Sequence, residues 1–210
     1  MGYYWSPLLK RQRTLHMKTI EVPEYIKGLI FDCDGTLVDS MSLHMKAWEH
    51  AITQSGGEWN YEFIFSKKGM QGKDILTLYN KSFKADLDTE YVARVKQEYF
   101  FKHCVEIKPI EAVVEIVRRY ASRLPMAVAS GGSRENVMLS LQLAGITQYF
   151  AAIVTADDRD VLPKPSPEIF LEAAKRINVE PQLCQVFEDG DIGLVAARQA
   201  GMLATDIRNL

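Results

Sequence analysis

Residues 28–34 read GLIFDCD, a short apolar run that ends in two carboxylates, Asp32 and Asp34, one residue apart. Four further apolar runs follow: MAVAS at 126–130, AAIVT at 151–155, CQVFED at 184–189 and MLATDI at 202–207. A half-solvated strand alternates apolar and polar residues; these runs do not, so both of their faces are to be covered. Single helical patterns separate them. PIEAVVEIVRRY repeats apolar residues at Ile110, Val113, Val114 and Val117 after Pro109 at its start. SRENVMLSLQLAG begins on Ser133, an N-cap residue type, and stops at Gly145. SPEIFLEAAKRI opens with Ser then Pro, and IGLVAARQAG again ends in Gly. Buried strands alternating with helices predict an α/β fold, a Rossmann-like parallel sheet covered on both faces.

The interval 41–108 breaks that rhythm. It holds helical patterns such as LHMKAWEHAI, KDILTLYNKSF and TEYVARVKQEYFF and no buried strand. Inserted after the first strand, it stands above that strand's carboxyl end, where open α/β sheets bind ligands. The expected organisation is a core of residues 24–40 and 109–210, a small helical cap at 41–108, and a poorly ordered N-terminal arm at 1–23 in which Met17 is an alternative start. A chain of 210 residues, 47% of them hydrophobic, can bury one such core and one insertion.

Charge and cysteine usage narrow the function classes. Lys+Arg 25 against Asp+Glu 27 leaves a net charge of −2, with no basic surface for nucleic acid. No run approaches the roughly 20 apolar residues of a membrane span. The first 18 residues lack the apolar stretch and small-residue cleavage site of a secretory signal. Gly2 has no Ser or Thr at the place a lipid anchor needs. Cys33, Cys104 and Cys184 form no CxxC spacing, and their odd number argues against a disulfide framework. Reduced thiols point to the cytoplasm. A monomer is the default expectation.

Every residue with chemistry to offer falls past the end of an apolar run: Asp32 and Asp34, then Ser130 with Gly131 and Gly132, then Lys164, then Glu188 and Asp189. A parallel sheet brings those ends together. Three carboxylates in one pocket repel one another unless a cation neutralises them, and all-oxygen ligands suit Mg²⁺. A carboxylate can attack phosphorus, and a second acid two residues on can protonate the leaving oxygen and later accept a proton from water. The Ser130 hydroxyl and the glycine amides can hold phosphoryl oxygens, while Lys164 adds a fixed positive charge. Singly, each piece has a structural reading. Asp39 is read as a turn acid, Asp34-Gly35 alone would be a common turn, Ser-Gly-Gly a loop and Glu188–Asp189 a helix cap. Their joint occurrence, in order, favours a phosphoryl-transfer site.

The segments DCDGT, ASGGS, KPSPEIF and FEDGDIGLVAARQAG resemble the motifs of the haloacid dehalogenase superfamily of aspartate-nucleophile phosphotransferases, from about residue 24 to the end. The resemblance implies Asp32 as nucleophile and Asp34 as general acid and base. It implies Mg²⁺ held by Asp32, the Asp34 carbonyl and Asp189, with Glu188 as ligand or as support for one. Lys164, Ser130 and Gly131 fall on the phosphoryl group, and a helical cap closes over the substrate. Dehalogenases expel a halide, which needs no proton, and lack the second acid; Asp34 therefore favours phosphate esters.

SLHMKAWEHAI resembles the sugar-phosphate branch that contains β-phosphoglucomutase and fructose-1-phosphatase-like enzymes. His44 and Trp48 lie four apart on one helical face. Trp48 is read as core, and His44 stays open between a substrate-side group and a satisfied helix-start residue. KKGMQGKDIL matches the loop in which the mutase places an Arg on the substrate's far phosphate; here Gly72 takes that place, with Lys73 beside it as a candidate substrate contact. Lys lacks the bidentate grip of Arg. The ending DIRNL also resembles the shorter phosphatase-like members. The expectation is a Mg²⁺-dependent phosphatase acting on a small phosphorylated metabolite, a ketohexose or related sugar monophosphate, through an aspartyl-phosphate. An intramolecular sugar phosphomutase and a non-catalytic phosphometabolite sensor are the alternatives.

Overall fold

The computed structural model describes residues 20–209, so most of the expected N-terminal arm lies outside the described residues. In chain order the first elements are β1 (Gly28–Phe31), β2 (Val38–Asp39), α1 (Met41–Gln54), α2 (Tyr61–Phe65), α3 (Gly72–Phe83), α4 (Thr89–His103) and β3 (Lys108–Pro109). They continue as α5 (Glu111–Tyr120), β4 (Met126–Ala129), α6 (Arg134–Leu143), β5 (Ala152–Val154), α7 (Glu168–Arg176), β6 (Cys184–Glu188), α8 (Asp191–Gln199) and β7 (Leu203–Asp206).

Five strands form one parallel sheet in the order β5-β4-β1-β6-β7. β1 sits at its centre with all four residues buried. Side chains alternate along each strand, so the two faces collect different partners. Leu29, Phe31, Met126, Val128 and Phe187 meet Val113 and Val117 of α5 and Val137 and Leu141 of α6. Ile30, Ala127, Val154 and Val186 meet Ile169 and Phe170 of α7 and Ala196 and Ala197 of α8. Phe31 stacks flat on Phe187 across the β1–β6 pair, ring centroids 4.6 Å apart. Ser133 caps α6 through its side chain, which accepts from the Asn136 amide, as its sequence position predicts.

Residues 41–103 contribute only helices. Their apolar faces make a third cluster from Met45, Trp48 and Ile52 of α1, Ile64 of α2, Ile75, Leu76 and Tyr79 of α3 and Val92 of α4. Leu43, Ala47 and Phe100 face the other way and join the sheet's cluster, which ties α1 and α4 to both layers.

Two local expectations are corrected. Asp39 is no turn acid: it lies in β2, which pairs antiparallel with β3, Val38 opposite Pro109 and Asp39 opposite Lys108. Pro109 consequently belongs to β3, and α5 starts two residues later at Glu111. Proline is tolerated there because the two-residue ladder is an edge on its other side. Both chain crossings between the sheet and the helical interval thus run through one small antiparallel pair. Among the described residues, no helix is long and apolar enough to cross a membrane.

Candidate active site

Asp32 follows β1, and its carboxylate is buried. A buried carboxylate needs a partner, and Lys164 supplies it: Nζ donates to Asp32 Oδ1 at 2.7 Å and to Glu188 Oε2 at 2.7 Å. The other Glu188 oxygen accepts from the Gly190 amide at 2.9 Å. Burial, then the charge of Glu188, pushes the Asp32 carboxyl well above its ordinary value, with Lys164 opposing. Burial would lower Lys164, but Asp32 and Glu188 outweigh it and hold the ammonium firmly protonated. One cation thus offsets two buried anions, and a third, Asp189, stands beside them. Asp32, Glu188 and Asp189 each offer an oxygen, all within 4.8 Å of one another.

That excess of oxygen anions over cations fits a hard divalent ion such as Mg²⁺. The cradle around it is tight. Gly35 has φ +87°, and a Cβ there would stand 2.6 Å from Asp189 Oδ2, so only glycine carries the chain past that carboxylate. Asp189 already holds a cation of the protein's own, Lys68 Nζ at 2.8 Å.

Asp34 does not belong to this trio. Its Oδ1 accepts from Ser40 Oγ at 2.5 Å and lies 3.1 Å from His44 Nε2. On the far side of the imidazole, Lys96 Nζ lies 3.1 Å from Nδ1. An ammonium can only donate, so Nδ1 accepts and Nε2 carries the hydrogen that points at Asp34. Burial and the charge of Lys96 lower the His44 value, against the pull of Asp34. Burial alone would raise Asp34, but His44, the hydrogen bonds from His44 and Ser40, and Lys96 hold it at about 2. With the imidazole neutral at pH 7, the hydrogen bonds and the Lys96 charge keep Asp34 ionised. His44 also stacks on Phe100, ring centroids 4.5 Å apart. Both carboxylates therefore lie at one strand end in separate environments, which is how two acids come to hold different roles.

Asp32, Asp34, His44, Ser130, Gly131, Glu188 and Asp189 line one cavity of about 300 Å³ between the sheet and the helical interval. Lys164 lies behind that lining, its ammonium bonded to Asp32 and Glu188. Ser130 is buried, and its Oγ accepts from the Gly132 amide at 3.1 Å. Gly131 faces Gly69 of the helical interval so closely that any Cβ would overlap the Gly69 carbonyl oxygen. Trp48 is buried in the helical cluster and also walls the cavity. Lys73 stands at the rim, with its ammonium 2.6 Å from Glu90 Oε1 and both side chains exposed.

Several residues of the site have no counterpart in the sequence expectations: Ser40, buried behind Asp34 and bonded to it, and the lining residues Lys68, Gln71, Lys96, Gln97 and Asn136, the last two as a pair. The pair is reciprocal, Gln97 Nε2 donating to Asn136 Oδ1 at 2.7 Å and Asn136 Nδ2 to Gln97 Oε1 at 3.1 Å. Lys96 did leave a signal. Val92, Lys96 and Phe100 are spaced by four, which places a lysine on the buried stripe of α4.

Residues 29–206 match the haloacid dehalogenase-like hydrolase family. The chain is 36% identical over 188 residues to the fructose-1-phosphate phosphatase YqaB of Escherichia coli, covering 89% of this chain and 99% of that protein. It is 28% identical to the validoxylamine A 7'-phosphate phosphatase of Streptomyces hygroscopicus subsp. limoneus, covering 86% of this chain and 85% of the other. Among solved structures, a β-phosphoglucomutase from Clostridium difficile superposes with a TM-score of 0.73 at 27% identity, over 86% of this chain and 84% of that one.

Proposed function

Because the chain belongs to the haloacid dehalogenase-like hydrolases, and within them is a phosphoric monoester hydrolase, we propose that it hydrolyses a small sugar monophosphate through an aspartyl-phosphate on Asp32. The observation that carries the reading is the pairing of two differently held carboxylates on one cavity: Asp32 fixed by Lys164, and Asp34 fixed by Ser40 and His44.

Asp32 uses the oxygen not engaged by Lys164 to bond phosphorus as the ester P–O bond breaks. Asp34 gives its proton to the leaving sugar oxygen. That proton comes from solvent: an arriving dianionic phosphoryl group raises the proton affinity of the carboxyl that is ionised at rest, as a neighbouring like charge does, and Asp34 takes up the proton before giving it to the leaving oxygen. In the second half Asp34 accepts a proton from water, the water oxygen bonds phosphorus, and the Asp32–phosphorus bond breaks to release inorganic phosphate. The Ser130 hydroxyl, oriented by the Gly132 amide, and the amide of Gly131 hold the phosphoryl oxygens. Asp32, the Asp34 carbonyl and Asp189 would hold Mg²⁺, with Glu188 supporting Lys164, and the bound ion would supply charge neutralisation for those oxygens.

We take residues 41–108 as the cap that selects the substrate. Its wall is apolar, from Met41, Met45, Trp48, Ile64, Met70 and Ile75, with the Gln97 and Asn136 amides beside it. Amides suit hydroxyl groups, and no arginine lines the cavity among the described residues. Of the lysines there, Lys73 is engaged by Glu90 and Lys96 by His44, and Lys68 lies at Asp189 beside the reacting group. A neutral polyol body suits such a wall better than the second phosphate a mutase intermediate carries. The fructose-1-phosphate activity in the name of the 36% identical relative supports a ketohexose phosphate; the likeness to a β-phosphoglucomutase supports the mutase as runner-up. We also read the enzyme as a cytoplasmic monomer, the first on the support of three free, buried thiols.

Purified enzyme with Mg²⁺ is expected to release phosphate from sugar monophosphates, fructose 1-phosphate among them, and Asp32→Asn to abolish release. Turnover surviving in Asp32→Asn would refute the nucleophile, and an isomerised sugar phosphate without free phosphate would establish the mutase.

A further inference from the structure

Lys68 sits in the loop between α2 and α3 and reaches across the cavity to the sheet. Its Nζ donates to Asp189 Oδ2 at 2.8 Å and to the Asp189 carbonyl oxygen at 3.1 Å. The two side chains are only 22% and 13% exposed, and the Phe65 ring covers the ammonium at 5.4 Å. This is not a loose surface pair. Asp189 is also one of the three carboxylates whose oxygens converge within 4.8 Å.

The rest of the loop is fastened as well. The Gly69 carbonyl lies against Gly131, and Gln71 Nε2 donates to the Ala156 carbonyl at 3.2 Å. The loop of residues 66–71 therefore rests on the sheet's rim, with one strong electrostatic tie at its centre. A divalent cation on Asp189 and an ammonium at hydrogen-bond distance from the same carboxylate repel each other and compete for its lone pairs.

We propose that Lys68 and the divalent ion exclude each other on Asp189. Without metal, the ammonium neutralises Asp189 and latches the loop onto the core. With metal, the ammonium is displaced, the loop is released, and the Lys68 charge becomes free for the phosphoryl oxygens of the arriving substrate, since Lys68 lines the cavity. Metal loading and access to the cavity are thereby coupled through one side chain. The inference rests on Asp189 being a metal ligand.

Mg²⁺ titration calorimetry on the full chain, paired with amide hydrogen exchange over residues 66–71, tests it. Lys68→Met is expected to bind Mg²⁺ about fivefold more tightly than the unaltered chain, the weight of one part-buried ion pair. Lys67→Met removes an equal charge one residue away, from a lysine that lies over the Phe63 ring, and is expected to stay within about twofold because screening weakens distant charges. Mg²⁺ should speed exchange in the loop of the unaltered chain, whereas Lys68→Met should exchange fast with or without metal. Equal or weaker Mg²⁺ binding by Lys68→Met, or a loop indifferent to Mg²⁺, overturns the latch. If Mg²⁺ binding is lost in Asp189→Asn yet unchanged in Lys68→Met, the latch alone falls. If the unaltered chain binds no Mg²⁺, the latch and the metal site fall together.

Discussion

Lys96 is held in the charged state at a cost. Burial lowers it from 10.5 to about 8, and Asp34 only partly opposes the shift. Its ammonium lies over the Trp48 and Phe100 rings, 5.5 Å from each centroid, and reaches Asp34 only through His44. A lysine depressed in the folded state binds fewer protons there than in the unfolded chain, so stability rises with pH between about 8 and 10.5 as the penalty lifts. Activity should run the opposite way. A neutral Lys96 amine can accept as well as donate, so it no longer fixes the His44 tautomer whose Nε2 hydrogen orients Asp34, and kcat/KM should fall above a pH of about 8. Lys96→Met should lack that alkaline limb and lose on the order of a hundredfold in kcat/KM, while its melting temperature holds or rises. A pH-rate profile and a thermal melt on the same variant check both signs. Lys164 is the opposite case: its removal in Lys164→Met leaves Asp32 and Glu188 buried together without a countercharge. Urea unfolding should show a loss of roughly 3–5 kcal/mol. The contrast explains what was legible. Asp32, Asp34, Lys164 and Asp189 stand at strand ends, and a parallel sheet leaves such residues one place to go. Lys96 and Lys68 reach the cavity from a helix face and a loop, whose orientation depends on packing that no local pattern encodes.

Strand ends and the helices of the sheet layer were readable because apolar runs and cap residues are local. The β2–β3 pair was not: two residues on each side carry too little pattern, and Val38–Asp39 and Lys108–Pro109 are separated in sequence by the whole helical interval. Pro109 is ambiguous for the same reason, its preference for a first helical turn being equally satisfied at a ladder edge. A similar non-local constraint falls on the loop after β4. Gly131 looks like a plain loop glycine, yet the Gly69 carbonyl occupies the place its Cβ would take. Backbone meets backbone there, so neither side can yield by turning a side chain. Gly131→Ala should therefore force the backbone after β4 to shift, carrying the Gly131 amide and Ser130 away from the phosphoryl oxygens they are proposed to hold. Its expected signature is a kcat/KM reduced by about tenfold to a hundredfold, consistent with ~1–3 kcal/mol of steric strain, with little change in melting temperature because Gly131 lies outside the sheet and its helices. Steady-state kinetics beside a thermal melt separates this from plain destabilisation, which would lower both.

At the scale of the whole molecule, the reaction we propose gives the sheet the phosphoryl chemistry and the helical interval the choice of what is attached to it. In that reaction the sheet's carboxylates do not distinguish a monophosphate from a bisphosphate, since they meet only the reacting group. The far wall must decide, and at Gly72 that wall carries no side chain. The position has room: a Cβ on Gly72 would stand 3.5 Å from the Trp48 ring, an ordinary contact. Nor does the backbone forbid a larger residue, because Gly72 opens α3 and is not among the glycines with positive φ. The unaltered enzyme is therefore expected to prefer a sugar monophosphate to the bisphosphate of the same sugar, whose second charged group would be buried against Met45, Trp48 and Ile75 without a partner. Gly72→Arg adds a planar, bidentate donor suited to a phosphate and should shift the ratio of kcat/KM values at least about tenfold toward the bisphosphate. Phosphate release measured on a matched pair of substrates decides it. An unaltered enzyme that already favours the bisphosphate would show that the far wall grips charge after all, and would return the phosphomutase to first place.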